Sequence, residues 1–139
     1  GWIREAVAQG AQLATGGGRD GNRLEPGVLL GARAGMAVHD EEVFAPLVTV
    51  APYARFEDAA AVVNASRYGL QAGVFTRDIR RAMQAWAALE VGAVVIDDIP
   101  TFRVDHMPYG GVKDSGLGRE GVRSAIREMT EERLLIVGR

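Results

Sequence analysis

Residues 40–46 read DEEVFAP, three carboxylates followed by an apolar pair and a short turn into proline. A carboxylate can accept charge-assisted hydrogen bonds from a bound ligand, so Asp40, Glu41 and Glu42 are candidates for a binding loop. The same run of charge also suits a solvated turn in front of a strand. The residue types alone leave both interpretations open.

A second group of candidate residues lies in the glycine-rich segment PYGGVKDSG at 108–116 and just before it. Arg103 and His106 are suited to meet an anionic group such as a phosphate, phosphonate or carboxylate. The glycines allow the backbone to approach a ligand closely. The alternative is an exposed loop in which Arg103 pairs with Asp105.

The composition limits the chemistry and the partners of this chain. Its 139 residues include no cysteine, which excludes disulfides, thiolate metal sites and thiol nucleophiles. The 16 basic and 18 acidic residues are dispersed, which argues against binding to nucleic acid or to an anionic membrane surface. No apolar run approaches the ~20 residues that span a bilayer, and the start is amphipathic, unlike a signal peptide. We therefore expect a cytoplasmic protein without a metal site.

A glycine motif near the start of the chain resembles a phosphate-binding loop only in its spacing. Gly16, Gly18 and Gly21 satisfy G-x-G-x-x-G. A pyrophosphate loop must open a helix whose amides hold the phosphates, and the following residues, which include EPG at 25–27, show no helical pattern. A plain turn between two strands is the favoured interpretation.

The elements that must position these residues alternate between strand and helix patterns. The chain opens within a helix, which suggests a fragment that starts inside a domain. The predicted strands are 11–14, 28–30, 47–51, 72–76, 92–96 and 134–137, and the later helices are 56–66, 78–89 and one beginning near Val122. Strands that are almost wholly apolar and alternate with helices predict an α/β fold with a mainly parallel sheet covered by helices on both faces.

Three stretches in this order resemble the C-terminal part of the catalytic domain of aldehyde dehydrogenases. They are DEEVFAP at 40–46, NASRYGLQAGVFTRD at 64–78 and MPYGGVKDSGLGRE at 107–120. The stretch 99–116 further resembles the branch that contains lactaldehyde, phosphonoacetaldehyde and non-phosphorylating glyceraldehyde-3-phosphate dehydrogenases. The resemblance implies a partial catalytic domain over 1–139, with 130–139 as an oligomerisation tail and the cofactor-binding domain absent.

The resemblance also assigns roles to individual residues. In this family the carboxylate at Glu42 receives the hydroxyls of the nicotinamide ribose, and the ring at Phe44 packs near the nicotinamide. The alternative is a solvated acidic turn beside a core phenylalanine. Ala45 stands where the family usually has glycine. Tyr109 occupies the position of an aromatic that borders the aldehyde in the substrate tunnel.

The strand before the substrate loop departs from the family pattern. Asp97 replaces the usual asparagine, and Asp98 follows it. Carboxylates near the tunnel would disfavour the anionic substrates that Arg103 and His106 suggest.

The catalytic groups of the family are not found in this sequence. Aldehyde dehydrogenases use a cysteine thiolate that attacks the aldehyde, and hydride then passes to NAD or NADP. The resemblance therefore implies a C-terminal fragment, inactive alone, of an enzyme that oxidises a small aldehyde to a carboxylic acid. Two alternatives stay open: a non-catalytic interaction subunit or decoy that docks onto intact aldehyde dehydrogenase subunits, and an unrelated α/β domain that binds a small molecule.

The end of the chain suggests contact with a second copy. Residues 134–137, LLIV, are too apolar for a free terminus, and a lone strand leaves amides and carbonyls unpaired. In the family this region joins subunits, so we expect a homo-oligomer through the C-terminal strand. The alternative is that the strand completes the sheet of its own chain.

The sequence predicts that this chain alone binds no cofactor measurably, because Glu42 and Phe44 reach only the nicotinamide end. Calorimetry with NAD and NADP should give no dissociation constant below about 100 μM, which corresponds to roughly −5.5 kcal/mol. Tighter binding would contradict the assignment of the adenine and pyrophosphate sites to a separate domain.

Overall fold

The computed structural model describes residues 1–138, which form two compact units divided after Arg55. The first unit contains two helices and five strands. They are α1 (Trp2–Ala8), β1 (Gln12–Thr15), β2 (Arg19–Asp20), β3 (Arg23–Leu24), β4 (Gly27–Leu30), α2 (Ala37–Asp40) and β5 (Leu47–Val50). Strand β4 lies at the centre of a three-stranded sheet, antiparallel to β1 and parallel to β5.

The core of the first unit forms around the central strand β4. Leu29 on this strand is 0% exposed and Met36 is 1% exposed, and they pack with buried Ala6, Ala11 and Val38. Alternate residues of β4 are fully buried, as a strand between two neighbours and a helical layer requires. This core supports the segment from which Glu42 and Phe44 project.

The glycine motif forms a turn, as predicted. Strands β2 and β3 pair as an antiparallel hairpin around Gly21, so a strand and not a helix follows the motif. Gly16 has φ +66°, and a Cβ atom there would lie 1.6 Å from the Pro26 carbonyl oxygen. The glycine therefore permits a close backbone crossing and does not cradle a phosphate.

The second unit begins at Phe56 and contains three helices and four strands. They are α3 (Phe56–Ala65), β6 (Tyr68–Gly69), β7 (Gln71–Val74), α4 (Ile79–Ala88), β8 (Ala93–Ile96), β9 (Val112–Lys113) and α5 (Val122–Glu128). Strands β7 and β8 pair in parallel, with α4 as the crossover between them. Strands β6 and β9 form a separate antiparallel pair.

The sequence of α4 explains why a helix forms this crossover. Asp78 caps the helix, since its Oδ1 accepts from the Arg80 amide at 2.8 Å. Ala82 and Ala85 are buried, whereas the large side chains of Met83 and Trp86 are exposed. Among the described residues, every buried hydrophobic side chain of the second unit is an alanine. The packing of this unit therefore depends on close backbone approach more than on large apolar side chains.

The α/β class is confirmed in its elements, but one mainly parallel sheet covered by helices is not confirmed. Strand β5 belongs to a mixed sheet in the first unit, whereas β7 and β8 pair in the second. The link from β1 to β4 spans only residues 16–26 and is occupied by the hairpin. A parallel connection needs about a dozen residues or more, so the two strands run antiparallel.

The strand predicted at 134–137 is not formed in the structure. Residues 130–138 have no regular secondary structure, and the four side chains of 134–137 are 79–85% exposed. A strand needs a neighbour to satisfy its amides and carbonyls, and none of the described strands pairs with this segment. No helix among residues 1–138 is long and apolar enough to cross a membrane.

Asn64 should be a stabilising residue of the second unit, because its side chain ties α3 to the end of α4. Its Nδ2 donates to the Ala88 carbonyl at 2.7 Å, and its Oδ1 accepts from the Glu90 amide at 2.9 Å. We expect Asn64→Ala to lower the free energy of unfolding by about 1–2 kcal/mol in urea denaturation. Gln84→Ala, which removes an exposed side-chain bond to Glu57, is the control and should change it by less than about 0.5 kcal/mol. Equal losses would contradict the role of the backbone contacts.

Candidate functional site

The loop that carries Glu42 begins at the one-turn helix α2. Met36 and Val38 anchor this turn in the core of the first unit. The Asp40 amide donates to the Met36 carbonyl at 3.0 Å, and the Glu41 amide donates to the Ala37 carbonyl at 3.0 Å. The backbone is therefore fixed up to the residue before Glu42.

The Asp40 side chain closes the same turn a second time. Its Oδ2 accepts from the Gly35 amide at 2.7 Å, and its Oδ1 accepts from Nδ1 of His39 at 2.7 Å. These bonds lower the pKa of the Asp40 carboxyl below its ordinary value, first through His39 and then through the Gly35 amide. Asp40 thus remains an ionised acceptor that faces back toward the protein.

The chain after Glu42 is also held. Val43 packs against the core, the Ala45 amide donates to the Val43 carbonyl at 2.7 Å, and the Leu47 amide donates to the Ala45 carbonyl at 2.7 Å. Phe44 is 91% exposed, so it is not a core residue of this chain. The segment therefore presents an exposed carboxylate and an exposed aromatic ring between two fixed points.

Alanine at position 45 does not strain this loop. Among residues 1–138, positive φ at non-glycine residues is confined to Asp97 and Lys113. Ala45 therefore adopts a backbone conformation that any L residue can take, and the family's usual glycine is not required here.

The second candidate loop closes on itself through Tyr109 and Glu120. The Tyr109 amide donates to the Glu120 carbonyl at 3.2 Å, and the reverse bond measures 2.6 Å. Nη1 of Arg119 donates to the carbonyls of Gly111 and Gly118, at 2.8 and 2.7 Å. The side chain of Arg119 thus fills the interior of the loop and fixes its path.

The Arg103 guanidinium joins this loop from the preceding segment. It lies 5.0 Å from the centre of the Tyr109 ring, and its Nη2 is 2.7 Å from Oε2 of Glu120. The alternative interpretation paired Arg103 with Asp105. Its partner in the structure is Glu120, which the backbone pairing with Tyr109 brings opposite the guanidinium. The arrangement places a cation on the face of the aromatic ring, about half exposed and open to exchange with another anion.

A cavity adjoins Tyr109 on the same loop. Its volume is about 370 Å³, and its lining includes Tyr109, Leu70, Leu117, Arg119, Glu120 and Met129. This volume lies in the range of small-molecule sites, and the lining combines apolar side chains with a few charged groups. His106 lies exposed in the neighbouring segment, outside the Arg103–Tyr109–Glu120 cluster.

The two aspartates that depart from the expected pattern have structural partners. Asp97 has φ 60°, its amide donates to the Val74 carbonyl at 2.9 Å, and its Oδ1 accepts from the Thr76 amide at 2.9 Å. Oδ1 of Asp98 accepts from the Ile99 amide at 2.8 Å. Both carboxylates therefore stabilise the carboxyl ends of β7 and β8.

The candidate residues are divided between the two units. Glu42 and Phe44 belong to the first, and Arg103, His106 and Tyr109 belong to the second, where Arg103 and Tyr109 are in direct contact. Among the described residues, no group of three or more histidine or carboxylate side chains could hold a metal ion.

Comparison of the sequence with protein families identifies the family to which this chain belongs. The model of the aldehyde dehydrogenase family matches residues 1–135. The chain belongs to the aldehyde dehydrogenase family. The resemblance inferred from the three motifs is thereby confirmed over nearly the whole sequence.

Curated relatives of this aldehyde dehydrogenase segment fall in the expected branch. A 3-sulfolactaldehyde dehydrogenase from Priestia aryabhattai is 48% identical over 98% of the chain and 28% of its own length. A lactaldehyde dehydrogenase from Methanococcus maripaludis is 41% identical over 97% of the chain and 29% of its own length. The chain thus spans less than a third of these relatives.

Solved aldehyde dehydrogenase structures share the fold of this segment. Aldehyde dehydrogenase 21 from Physcomitrella patens, in complex with the reaction product succinate, has a TM-score of 0.90 and 45% identity, covering 94% of the chain and 27% of that structure. The glyceraldehyde-3-phosphate dehydrogenase GapN from Methanocaldococcus jannaschii, complexed with NADP, has a TM-score of 0.84 and 38% identity, covering 91% and 27%. The family and the branch are therefore supported by sequence and by fold.

Lys113 lies in the glycine-rich segment that the sequence singled out, but the sequence did not indicate that its side chain holds this second candidate loop. Lys113 has φ 56°, and its Nζ donates to the carbonyls of Asn64 and Ser66 at 2.6 and 3.2 Å and lies 3.0 Å from Oε2 of Glu90. Glu120 and Asp40 were likewise not identified as partners. Apart from the contact of Asp40 with the adjacent His39, their contacts are directed at backbone groups or at residues distant in sequence, so no spacing pattern indicates them.

Proposed function

We propose that this chain is the C-terminal part of the catalytic domain of an NAD(P)-dependent aldehyde dehydrogenase that oxidises a small aldehyde to its carboxylic acid. The proposal depends on one observation in this member of the family. The side chains of Glu42 and Phe44 are exposed, while the backbone on both sides of them is fixed. Side chains of these types, exposed on a rigid segment, are suited to orienting a ligand.

The residues present fit the nicotinamide end of the cofactor. The Glu42 carboxylate can accept two charge-assisted hydrogen bonds from a ribose diol, and the exposed Phe44 ring offers an apolar face to the nicotinamide. When bound, NAD or NADP supplies a hydride acceptor. The role of this chain is to hold that acceptor in one orientation, since hydride transfer depends on distance and alignment.

The substrate that fits the second loop is a small aldehyde with an anionic group. Arg103 is half exposed beside Tyr109, and a substrate anion can take the place that Glu120 occupies on the guanidinium. The carboxylates of Asp97 and Asp98 accept backbone hydrogen bonds, which makes them weaker competitors for this cation. Relatives named for sulfolactaldehyde and a neighbour complexed with succinate support an anionic substrate class.

The chain contributes orientation and recognition but no nucleophile. It contains no cysteine, so the thiolate on which the proposed reaction depends must be supplied by another part of the complete enzyme. We therefore expect the chain alone to be inactive toward aldehydes.

The segment 134–137 is our proposed contact between copies of the enzyme. Leu134, Leu135, Ile136 and Val137 are exposed and have no strand neighbour among the described residues. A second copy can pair with this segment and bury its apolar side chains.

The cofactor role predicts a defect in Glu42→Gln in the complete enzyme. Glutamine offers a single neutral acceptor, so we expect the hydride-transfer rate to fall about tenfold or more, with a larger isotope effect from an aldehyde deuterated at C1. Asp20→Asn, on the exposed hairpin, is the control and should behave as wild type. An unchanged rate of hydride transfer in Glu42→Gln would rule out the ribose contact.

The substrate role predicts that Arg103→Ala discriminates between aldehydes. KM for a carboxylate-bearing aldehyde should rise about tenfold, while KM for a neutral aldehyde of equal length should not change. Glu120→Gln should lower KM for the anionic aldehyde, because it removes the competing charge. Equal changes for both aldehydes in Arg103→Ala would contradict anion recognition.

The oligomer contact predicts a change of mass after deletion of residues 134–139. Light scattering should show dissociation to smaller species, because the truncated chain lacks the strand that pairs between copies. An assembly of unchanged mass would exclude this segment as the contact.

A further inference from the structure

The turn before Glu42 is too short to hold its own shape. Helix α2 has four residues, and a single helical turn is not stable by itself in water. Its N-cap is Met36, whose side chain makes no capping hydrogen bond to the first-turn amides. Something other than ordinary capping must therefore fix this turn.

The side chain of Asp40, at the C-terminal end of the turn, closes it by binding a backbone amide at the other end. Its side chain reaches back to the amide of Gly35, just before the N-cap, while its own amide donates to the Met36 carbonyl. The carboxylate therefore ties together the residues that flank α2. His39 occupies the second carboxylate oxygen at 2.7 Å, which fixes the side-chain rotamer of Asp40.

The position of Asp40 in the sequence connects this closure to Glu42. Only Glu41 separates the two residues, and Glu41 is extended, with φ −113° and ψ 158°. Val43, on the other side of Glu42, is held by the core. The backbone of Glu42 therefore has one held residue after it and one fixed turn before it, and Asp40 closes that turn alongside the core contacts of Met36 and Val38.

The charges of the acidic run support the same arrangement. Three consecutive carboxylates repel one another, and pairing Asp40 with His39 and the Gly35 amide directs one of them back toward the protein. The lowered pKa of Asp40 agrees with a carboxylate that stays ionised in this contact. Because Asp40 occupies the Gly35 amide, the Glu42 carboxylate does not take up this contact and is available to a ligand.

We propose that Asp40, held by His39, is the positioning residue for Glu42: it fixes the turn from which Glu42 meets the cofactor ribose. This inference rests on the proposed function of Glu42. Asp40 itself does not touch the cofactor.

The test is a double-mutant cycle in the complete enzyme with Asp40→Ala and Glu42→Gln. We expect Asp40→Ala to lower kcat/KM for the cofactor about threefold to tenfold, with KM for the aldehyde unchanged. In the Glu42→Gln background, Asp40→Ala should cause no further loss, because it acts through Glu42. Asp40→Asn, which keeps one acceptor oxygen, should restore most of the activity, and Asp20→Asn is the control.

Hydrogen exchange on the same proteins separates folding from positioning. Amides of the peptide 35–42 should exchange faster in Asp40→Ala than in Asp40→Asn, while the melting temperature of the enzyme stays close to wild type. If Asp40→Ala does not fold, His39→Gln carries the same test with a smaller expected loss.

Two outcomes would overturn the inference. The first is an impaired Glu42→Gln with an Asp40→Ala that is either as active as wild type or adds its own loss to that of Glu42→Gln. Asp40 then does not act through Glu42, although the ribose contact stands. If Glu42→Gln itself is silent, the ribose contact fails and the inference fails with it.

Discussion

The two functional loops depend on charged side chains that bind backbone groups. Asp40 holds the amide of Gly35 in the first unit, and Lys113 holds the carbonyls of Asn64 and Ser66 in the second. A loop outside a sheet leaves its amides and carbonyls without regular partners, and an ionised side chain forms the stronger kind of hydrogen bond to them. Short segments are therefore held here without long helices, by these bonds and, in the first unit, by the core contacts of Met36, Val38 and Val43.

The longer helices and strands were predictable from the sequence because they follow local patterns. Helix α4 shows a capping Asp78 and an apolar stripe, and β4 and β8 are short apolar runs bounded by turns. The arrangement of the strands was less predictable. The antiparallel course of β4 against β1 follows from the short hairpin between them, which the glycine motif indicated only as a turn.

The sequence could propose the residues of the candidate site but not the partners of those residues. Motif resemblance located Glu42, Phe44 and Tyr109, and the exposure of Glu42 and Phe44 on a held loop fits the role proposed for them. The alternative interpretation paired Arg103 with Asp105, two residues away, whereas Arg103 contacts Glu120, which its backbone pairing with Tyr109 brings opposite. A long-range pairing of this kind leaves no periodic signal in the sequence.

The contact between Gly92 and Gly110 limits where the cavity beside Tyr109 can be altered. A Cβ atom on Gly92 would lie 1.7 Å from the Gly110 carbonyl oxygen, so the start of β8 and the residue after Tyr109 meet backbone to backbone. No side-chain rotamer lies between them to absorb a shift of either segment. Redesign of the cavity is therefore better directed at Leu117, which is fully exposed on its rim, than at the glycines that set the backbone path.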